Sequence, residues 1–378
     1  MEKTKKNAHE EEEETDLINN LPDSILCLII CYLPIKQVVR TSILCKRWKK
    51  LWMSIPSINF DLQKPNPLNK NLNKEVREVI DHIFTSHHGK IESCWIKHCR
   101  KNIKHHEVQR WIEQLKSNRR SINKLSLQCM SIFAWKWYHI QNKERYQLPS
   151  RIFSFSSLHE LELNNYNLWD SSPFEGCMNL TTLKLVSILL KSDVILQGII
   201  FNCGLLENLS LIRCEGLQTL KILDRNLRVL KIENLQVKGI EIHDMSLRTL
   251  VIDTLSSGNG YKITTPNLQQ LCITHRHHAS ALIDINWTGI EIIEVSSNFR
   301  ANPYKEVSPF ENLQRLFLNL NLKDVRQAPM LASMLRRNRY LQELIIELVE
   351  GAEKFDPFLA YGPVVVARDG ERILVIRA

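Results

Sequence analysis

The chain of 378 residues has little glycine or proline, with 12 and 13 residues of each, and it has no long hydrophobic run. The scarcity of both residues excludes collagen-like and other low-complexity chains. The longest apolar run, Ile25 to Pro34, is about ten residues long, whereas a membrane-spanning helix needs roughly 20. The N-terminal residues also lack the hydrophobic core of a signal peptide. We therefore expect a soluble protein of the cytoplasm, the nucleus or both.

Recognisable catalytic and metal-binding motifs are missing as well. The ten cysteines are scattered without a CxxC pair, so neither a disulfide framework nor a zinc ribbon is indicated. The sequence offers no nucleophile elbow, phosphate-binding loop or metalloprotease motif in a fitting context. We therefore predict no enzyme activity, no metal and no other cofactor. The weak metal-ligand candidates, for which ordinary structural roles are favoured, are His275, His277 and His278, and Cys94, His98, Cys99 and His105.

Charged residues are plentiful, and the net charge is +9. Residues 1–15 are polar and include the run Glu10 to Glu14, which is typical of a disordered tail. The lysines and arginines of the remaining chain are dispersed and form no aromatic-interleaved basic stripe. Nucleic acid is therefore not an expected partner.

Three short helices are indicated after this tail. Pro22 and Asp23 suit the first turn of a helix, Pro34 ends it, and Ile35 to Thr41 and Ser42 to Trp52 follow as two more. The first helix is apolar nearly all round, which predicts burial on two sides. A unit of this size is marginal by itself. One side of the helix therefore has to be covered by a second surface.

The spacing over about residues 16–60 resembles an F-box. The resemblance is carried by Leu21-Pro22-Asp23-x-Ile25-Leu26, Leu33-Pro34-Ile35-x-x-Val38-Val39-Arg40-Thr41-Ser42, Leu44-Cys45-Lys46-Arg47-Trp48 and Leu51-Trp52. It implies docking onto a Skp-type adaptor, which bridges to a cullin scaffold in a ubiquitin ligase. The alternative is that these residues are the ordinary core of a helical cap. The implied adaptor-binding residues are Leu21, Pro22, Ile25, Ile29, Leu33 and Pro34.

The pattern L-x-x-L-x-L, with Ile or Val as substitutes, recurs through residues 61–350. From Leu206 to Leu313 successive copies are 20 to 23 residues apart, within the leucine-rich-repeat period of roughly 20–29. The copies begin at Leu158, Leu180, Leu206, Leu227, Leu247, Leu268, Ile290, Leu313 and Leu341, with weaker ones at Ile91 and Ile122. We therefore predict an α/β fold, in which the F-box module precedes an irregular solenoid with a parallel concave sheet, outer helices and loops.

The end of the repeat region, residues 310–347, resembles the start of the FBD region of plant F-box/LRR proteins. The resemblance rests on Phe310-x-x-Leu313-x-x-Leu316-x-Leu318 and on Leu331-x-x-Met334-Leu335-Arg336-Arg337-Asn338-x-x-Leu341-x-x-Leu344-x-Ile346. Residues 351–378 do not continue that pattern, so we expect an incomplete FBD region with a C-terminal cap or tail. Val364 to Val366 and Ile373 to Ile376, which flank Asp369-Gly370, have the pattern of a hairpin.

The variable residues of each copy should line the concave face. They carry no single charge sign and no repeated side chain, which favours a specific protein target over a uniform polymer. The target-binding candidates are Asn208, Arg228, Lys231, Arg248, Gln270, Glu294, Arg315 and Phe317. Arg228, Lys231 and Arg248 form an alternative basic pocket for a small ligand.

The sequence thus predicts a non-catalytic substrate-recognition subunit of a Skp–cullin–F-box ubiquitin ligase. Its F-box would bind the adaptor, and its concave face would bind a protein whose identity the sequence does not give. The alternative function is a repeat scaffold or ligand sensor that acts without ubiquitin transfer.

Overall fold

Helices dominate the N-terminal part of the chain and strands the remainder. The computed structural model describes residues 17–61, 72–99, 105–116, 121–130, 146–223, 226–256, 261–274, 283–284, 289–295, 312–321, 340–350, 364–368 and 371–377. The predicted tail, residues 1–15, lies outside these ranges. The helices are α1 (Asp23–Cys31), α2 (Ile35–Arg40), α3 (Trp48–Leu51), α4 (Leu72–Ser86), α5 (His105–Leu115) and α6 (Asp193–Asn202), with 3₁₀ turns at Thr41–Ile43, Trp52–Ser54 and Ser172–Phe174.

The strands are short and follow one another at the period of the repeats. In chain order they are β1 (Ser57–Asp61), β2 (Ser93–Cys99), β3 (Lys124–Met130), β4 (Tyr146–Gln147), β5 (Glu160–Asn164), β6 (Tyr166–Leu168), β7 (Thr182–Val186), β8 (Leu189–Leu190), β9 (Asn208–Ile212), β10 (Thr219–Leu223), β11 (Val229–Gln236), β12 (Gly239–His243), β13 (Thr249–Ser256), β14 (Tyr261–Thr264), β15 (Gln270–Thr274), β16 (Ile283–Asp284), β17 (Ile292–Val295), β18 (Arg315–Asn321), β19 (Glu343–Glu350), β20 (Val364–Arg368) and β21 (Glu371–Arg377).

Among the described residues, fourteen strands form one large sheet in the order β1-β2-β3-β5-β7-β9-β11-β13-β15-β17-β18-β19-β21-β20. Neighbouring strands are parallel from β1 to β19, and β21 then pairs antiparallel with both β19 and β20. Two small parallel sheets, β4-β6-β8 and β10-β12-β14-β16, hold the second strands of successive coils. The predicted α/β class with a leucine-rich solenoid is therefore confirmed, and the expected C-terminal hairpin is present as β20 and β21.

The apolar residues of the repeat pattern stack in register. The second apolar residues of neighbouring copies are direct partners across the large sheet and are buried. This column consists of Leu161, Leu183, Leu209, Leu230, Leu250, Leu271, Ile293, Leu316 and Leu344. The weaker copies join it, because Cys94 pairs with Leu125, and Leu125 pairs with Leu161.

One further copy was not recognised in the sequence. Ile55-x-x-Ile58-x-Phe60 has the same spacing, all three side chains are buried, and Ile58 pairs with Cys94. β1 therefore opens the large sheet within the segment that resembles an F-box. Through it the buried residues of the N-terminal helices, such as Leu26 and Val38, are continuous with the solenoid core.

The coils turn at residues with left-handed backbone. Asn165, Ser187, Arg213 and Asn234 have φ values of 64°, 51°, 52° and 50°, and each follows the last apolar residue of its copy by two positions. The first three donate their backbone N–H to a carbonyl of the next coil at 2.7–2.9 Å. Main-chain bonds thus link the turns although most copies lack the asparagine or cysteine typical of leucine-rich repeats.

The outer side of the solenoid carries helices where the repeats are long. Val108, Trp111, Ile112 and Leu115, whose spacing predicted a helix, are the buried residues of α5 together with Glu107. The long interval between Leu180 and Leu206 contains α6. Its Asp193 carboxylate accepts backbone N–H hydrogen bonds from Gln218 and Thr219 at 2.7 and 2.9 Å, which ties α6 to β10.

The third predicted helix of the N-terminal module is shorter than expected. The pattern predicts one helix over Ser42 to Trp52, whereas a 3₁₀ turn ends at Ile43 and α3 begins only at Trp48. Trp48 and Leu51 nevertheless occupy the core as their spacing predicts. Leu44, which shares the helical spacing, is instead 67% exposed. The spacing was therefore informative about burial at Trp48 and Leu51 but not at Leu44, and not about helix length.

Replacing Leu209 by alanine should destabilise the solenoid by about 2–5 kcal/mol, because a fully buried leucine of the column leaves a cavity. The matched control is Leu205→Ala, four residues earlier in the same repeat, where the side chain is 55% exposed. We expect its effect to stay within about 0.5 kcal/mol. Urea denaturation followed by circular dichroism measures both, and equal midpoints would contradict the stacking of the column.

Candidate functional site

Helix α1 presents an apolar face to solvent. Ile25, Leu28, Ile29 and Tyr32 are 41%, 56%, 50% and 89% exposed, and their spacing places them on one side of the helix. Leu26 and Ile30 are buried on the opposite side. The chain therefore covers α1 on one side only. This agrees with the prediction that a helix with apolar residues all round needs a second surface to cover its other side. We call Ile25, Leu28, Ile29 and Tyr32 the α1 face.

Other large apolar side chains of the same module are also exposed. They are Leu17, Ile18, Ile43 and Leu44, with exposures of 73%, 58%, 86% and 67%. Apolar exposure on this scale is uncommon on a monomeric protein and marks surfaces that bind other proteins. The module thus combines a small buried core with an unusually apolar exterior.

The first turn of α1 is held by Arg47 and Trp48. The Arg47 guanidinium donates to the Asp23 carboxylate at 2.6 Å and to the backbone carbonyls of Asn19 and Leu21. The Trp48 indole N–H donates to the Asn19 side chain at 3.0 Å. Because the guanidinium is planar and rigid, this set of contacts fixes the direction of α1 relative to α3.

The six adaptor-binding candidates are placed in two ways. Ile25 and Ile29 belong to the α1 face, and Pro22 is exposed at the start of the helix. Leu21 and Leu33 are partly buried and pack against the core, and Pro34 is also partly buried. Leu28 and Tyr32 were not among the candidates, although they lie three and seven residues from Ile25 and therefore on the same side of the helix.

The eight target-binding candidates separate into two groups. Most of them stand on strands of the large sheet, on the open face that alternates with the buried column: Asn208, Lys231, Gln270, Glu294, Arg315 and Phe317. Arg228 and Arg248 instead precede their strands, where the backbone N–H of Arg248 donates to the carbonyl of Arg228 at 2.9 Å.

Arg228 and Arg248 line an open groove of about 620 Å³ with the exposed side chains of Leu205 and Met245. Arg228 also forms an ion pair with Glu207 at 3.3 Å. Lys231 does not line this groove. The structure therefore does not bring together the three residues of the alternative basic pocket, although two of them are neighbours.

The open face is charged and internally paired over its first strands. Lys124 and Glu160 form an ion pair at 2.5 Å, and Lys184 and Glu162 form another at 3.1 Å. These pairs join neighbouring strands, so the charges of β3, β5 and β7 largely satisfy one another. The strands from β13 to β19 carry more apolar residues on the same face.

Cys272 lies on this second part of the open face. Burial raises the pKa of its thiol to about 12, and the nearby Glu294 carboxylate adds to the effect. Because the thiolate is the reactive form of cysteine, this side chain behaves as a small neutral group and not as a nucleophile.

The metal-ligand candidates have no site geometry in the part of the chain that the structure describes. No group of three or more His, Cys, Asp or Glu side chains there could hold a metal ion. His98 is buried, and its Nε2 lies 2.6 Å from the Tyr166 hydroxyl, which indicates a packing role. The side chains of Cys99 and His105, and residues 275–278, lie outside the described residues. None of the described helices is long and apolar enough to cross a membrane.

Comparison with known proteins agrees with both parts of this architecture. Residues 18–59 match the F-box domain, and residues 108–346 match the LRR repeats of the FBD-associated F-box protein At5g56370. The chain belongs to this F-box/FBD/LRR family. The second match contains strands β3 to β18 and so covers most of the stacked column of the F-box/LRR chain.

Similar proteins come from Arabidopsis thaliana. F-box protein At1g80960 is 30% identical over 270 residues, which cover 67% of this chain and 53% of that protein. F-box/FBD/LRR-repeat protein At5g56420 is 29% identical over 262 residues, covering 68% and 55%. The chain spans about half the length of the curated relatives it matches.

Alkylation of Cys272 should be slow at pH 8, because a pKa of about 12 leaves far less thiolate than an ordinary cysteine has. The Glu294→Gln variant removes a negative charge that disfavours the thiolate, so it should lower the pKa and speed the reaction. Iodoacetamide labelling followed by peptide mass spectrometry measures the rate at this residue. Equal rates in both proteins would show that Glu294 has no influence on the thiol.

Proposed function

We propose that the chain is the substrate-recognition subunit of a Skp–cullin–F-box ubiquitin ligase. In this role the F-box binds a Skp-type adaptor, and the open face of the large sheet holds a protein target. The chain itself performs no covalent step. Its contribution is to keep the target close to the ubiquitin-loaded enzyme, which converts an encounter between separate molecules into a local reaction.

The observation that carries the proposal is the α1 face. Full burial of one such side chain stabilises by about 1.5–3 kcal/mol. When each side chain is weighted by its exposed fraction, covering the four residues would contribute a binding free energy on the order of 3–7 kcal/mol, before the cost of association is subtracted. Together with the match to the F-box domain, this supports an apolar groove on an adaptor as the surface that covers the α1 face.

The packing between the helices and the sheet also supports the proposal. The helices that carry the α1 face share a core with β1, and β1 is hydrogen-bonded to β2 in the large sheet. A target on the open face is therefore linked to the adaptor through packed and hydrogen-bonded elements. A flexible tether would hold it at a lower effective concentration.

The Ile29→Asp variant should lose adaptor binding, with an affinity at least about 30-fold lower, because a carboxylate would be buried at the interface. Ile29 is 50% exposed, so the fold should be unaffected. Binding of a recombinant Skp-type adaptor is measured by isothermal titration calorimetry, and thermal melting verifies folding.

The matched control is Phe201→Asp on α6, which changes a 73% exposed apolar residue far from the F-box in sequence. It should bind the adaptor as the unmodified chain does. Undiminished binding by Ile29→Asp would show that the α1 face is not the adaptor surface.

An assay of ubiquitin transfer distinguishes the function of a ligase subunit from that of a scaffold. In a mixture of adaptor, cullin complex, charged conjugating enzyme and this chain, we expect ubiquitin on the lysines of the chain itself, because they are held near the enzyme. Ile29→Asp should abolish the modification and Phe201→Asp should not. Adaptor binding without any modification would favour the scaffold function. Immunoblotting for ubiquitin provides the readout.

A further inference from the structure

The open face carries a stripe of apolar side chains, interrupted once by Glu294, that the linear sequence conceals. Val251 is the direct partner of Cys272, and Phe317 is the direct partner of Ile345. Glu294 is the direct partner of both Cys272 and Phe317, and Ile292 lies beside it, two residues earlier on the same strand. All five side chains are partly exposed. We call Val251, Cys272, Ile292, Phe317 and Ile345 the open-face stripe; it crosses five strands, or roughly 19 Å at the usual strand spacing.

Acidic residues border this stripe on one side. Glu233 and Asp253 are direct partners in the next outward-facing row towards the carboxyl ends of the strands, and Glu294 lies within the row of the stripe itself. Among the described residues of these two rows from β11 to β19, the one lysine is Lys231, which forms an ion pair with Glu233 at 3.2 Å. This border is locally negative in a chain whose net charge is +9. The described charges at the stripe are thus opposite in sign to the net charge of the protein.

The border at the amino ends of the strands is nearly neutral. Arg315 and Glu343 are direct partners there and form an ion pair at 3.5 Å. The stripe is therefore asymmetric, with an acidic flank on one side and a balanced flank on the other. A ligand that fits this surface needs an apolar ridge and positive charge along one edge of it.

We propose that the open-face stripe binds an amphipathic helical segment of the target whose apolar ridge is flanked on one side by lysine or arginine. The inference rests on the proposed function and specifies the class of target. Phosphate-rich partners such as nucleic acid would meet the acidic flank and be repelled. Cys272 contributes to the stripe as a neutral group that fits an apolar partner.

Synthetic peptides provide the test. Three fluorescein-labelled peptides of roughly 14 residues, long enough to follow the stripe as a helix, share one leucine ridge and carry lysine, serine or glutamate along one edge. Fluorescence anisotropy with the full chain measures their affinities. We expect the lysine peptide to bind at least about fivefold tighter than the glutamate peptide, with a preference that declines as salt rises.

Variants locate the binding. Phe317→Ser and Ile345→Ser should each weaken the lysine peptide at least about fivefold, whereas Phe201→Ser on α6 should leave it unchanged. Changing Glu233 and Glu294 to glutamine should reduce the lysine preference while leaving the serine peptide unaffected. Thermal melting confirms that each partly exposed position tolerates its change.

Three results would overturn the proposal. The first is tighter binding of the glutamate peptide than of the lysine peptide, which the net charge alone would predict. The second is full affinity for the lysine peptide in Phe317→Ser and Ile345→Ser. The third is that no peptide binds at concentrations up to about 1 mM. The Ile29→Asp variant, which should lose adaptor binding, should bind the lysine peptide normally. The adaptor proposal and the peptide proposal can therefore fail independently of each other.

Discussion

A buried column of leucine and isoleucine side chains, with one cysteine at Cys94, runs from Ile58 in the first strand to Leu344 in β19 and joins the coils of the solenoid. No single coil covers its own apolar residues, so each relies on the next for burial. Because side chains alternate along a strand, placing this column in the core also decides which residues face outwards. The paired charges of the first coils and the apolar stripe of the later ones both follow from that alternation.

The joint between the two parts of the chain follows from the same packing. Ile55, Ile58 and Phe60 behave as a repeat copy, so the sheet begins before the F-box match has ended. The helices thus rest on the first coil and share its core. In the proposed function, this joint sets the distance between adaptor and target, and the strength of the packing limits how far that distance can vary.

The sequence predicted the features that depend on local pattern. Nine copies were located from L-x-x-L-x-L, and α5 from the spacing of Val108, Trp111, Ile112 and Leu115. It did not predict Leu28 and Tyr32 as surface residues, because a helix that is apolar all round does not reveal which side its neighbours cover. The open-face stripe was missed for a similar reason, since it depends on the lateral register of strands separated by unequal intervals.

The left-handed residues at the strand exits have a consequence for how such a chain can change over time. At Asn165, Ser187 and Arg213 the link to the next coil runs from one main chain to another, so three unrelated side chains serve the same position. The link to the next coil therefore demands no particular side chain at these exits, although a left-handed φ still favours glycine and asparagine. Such a chain could accept substitutions there, coil by coil, while the winding of its main chain persists.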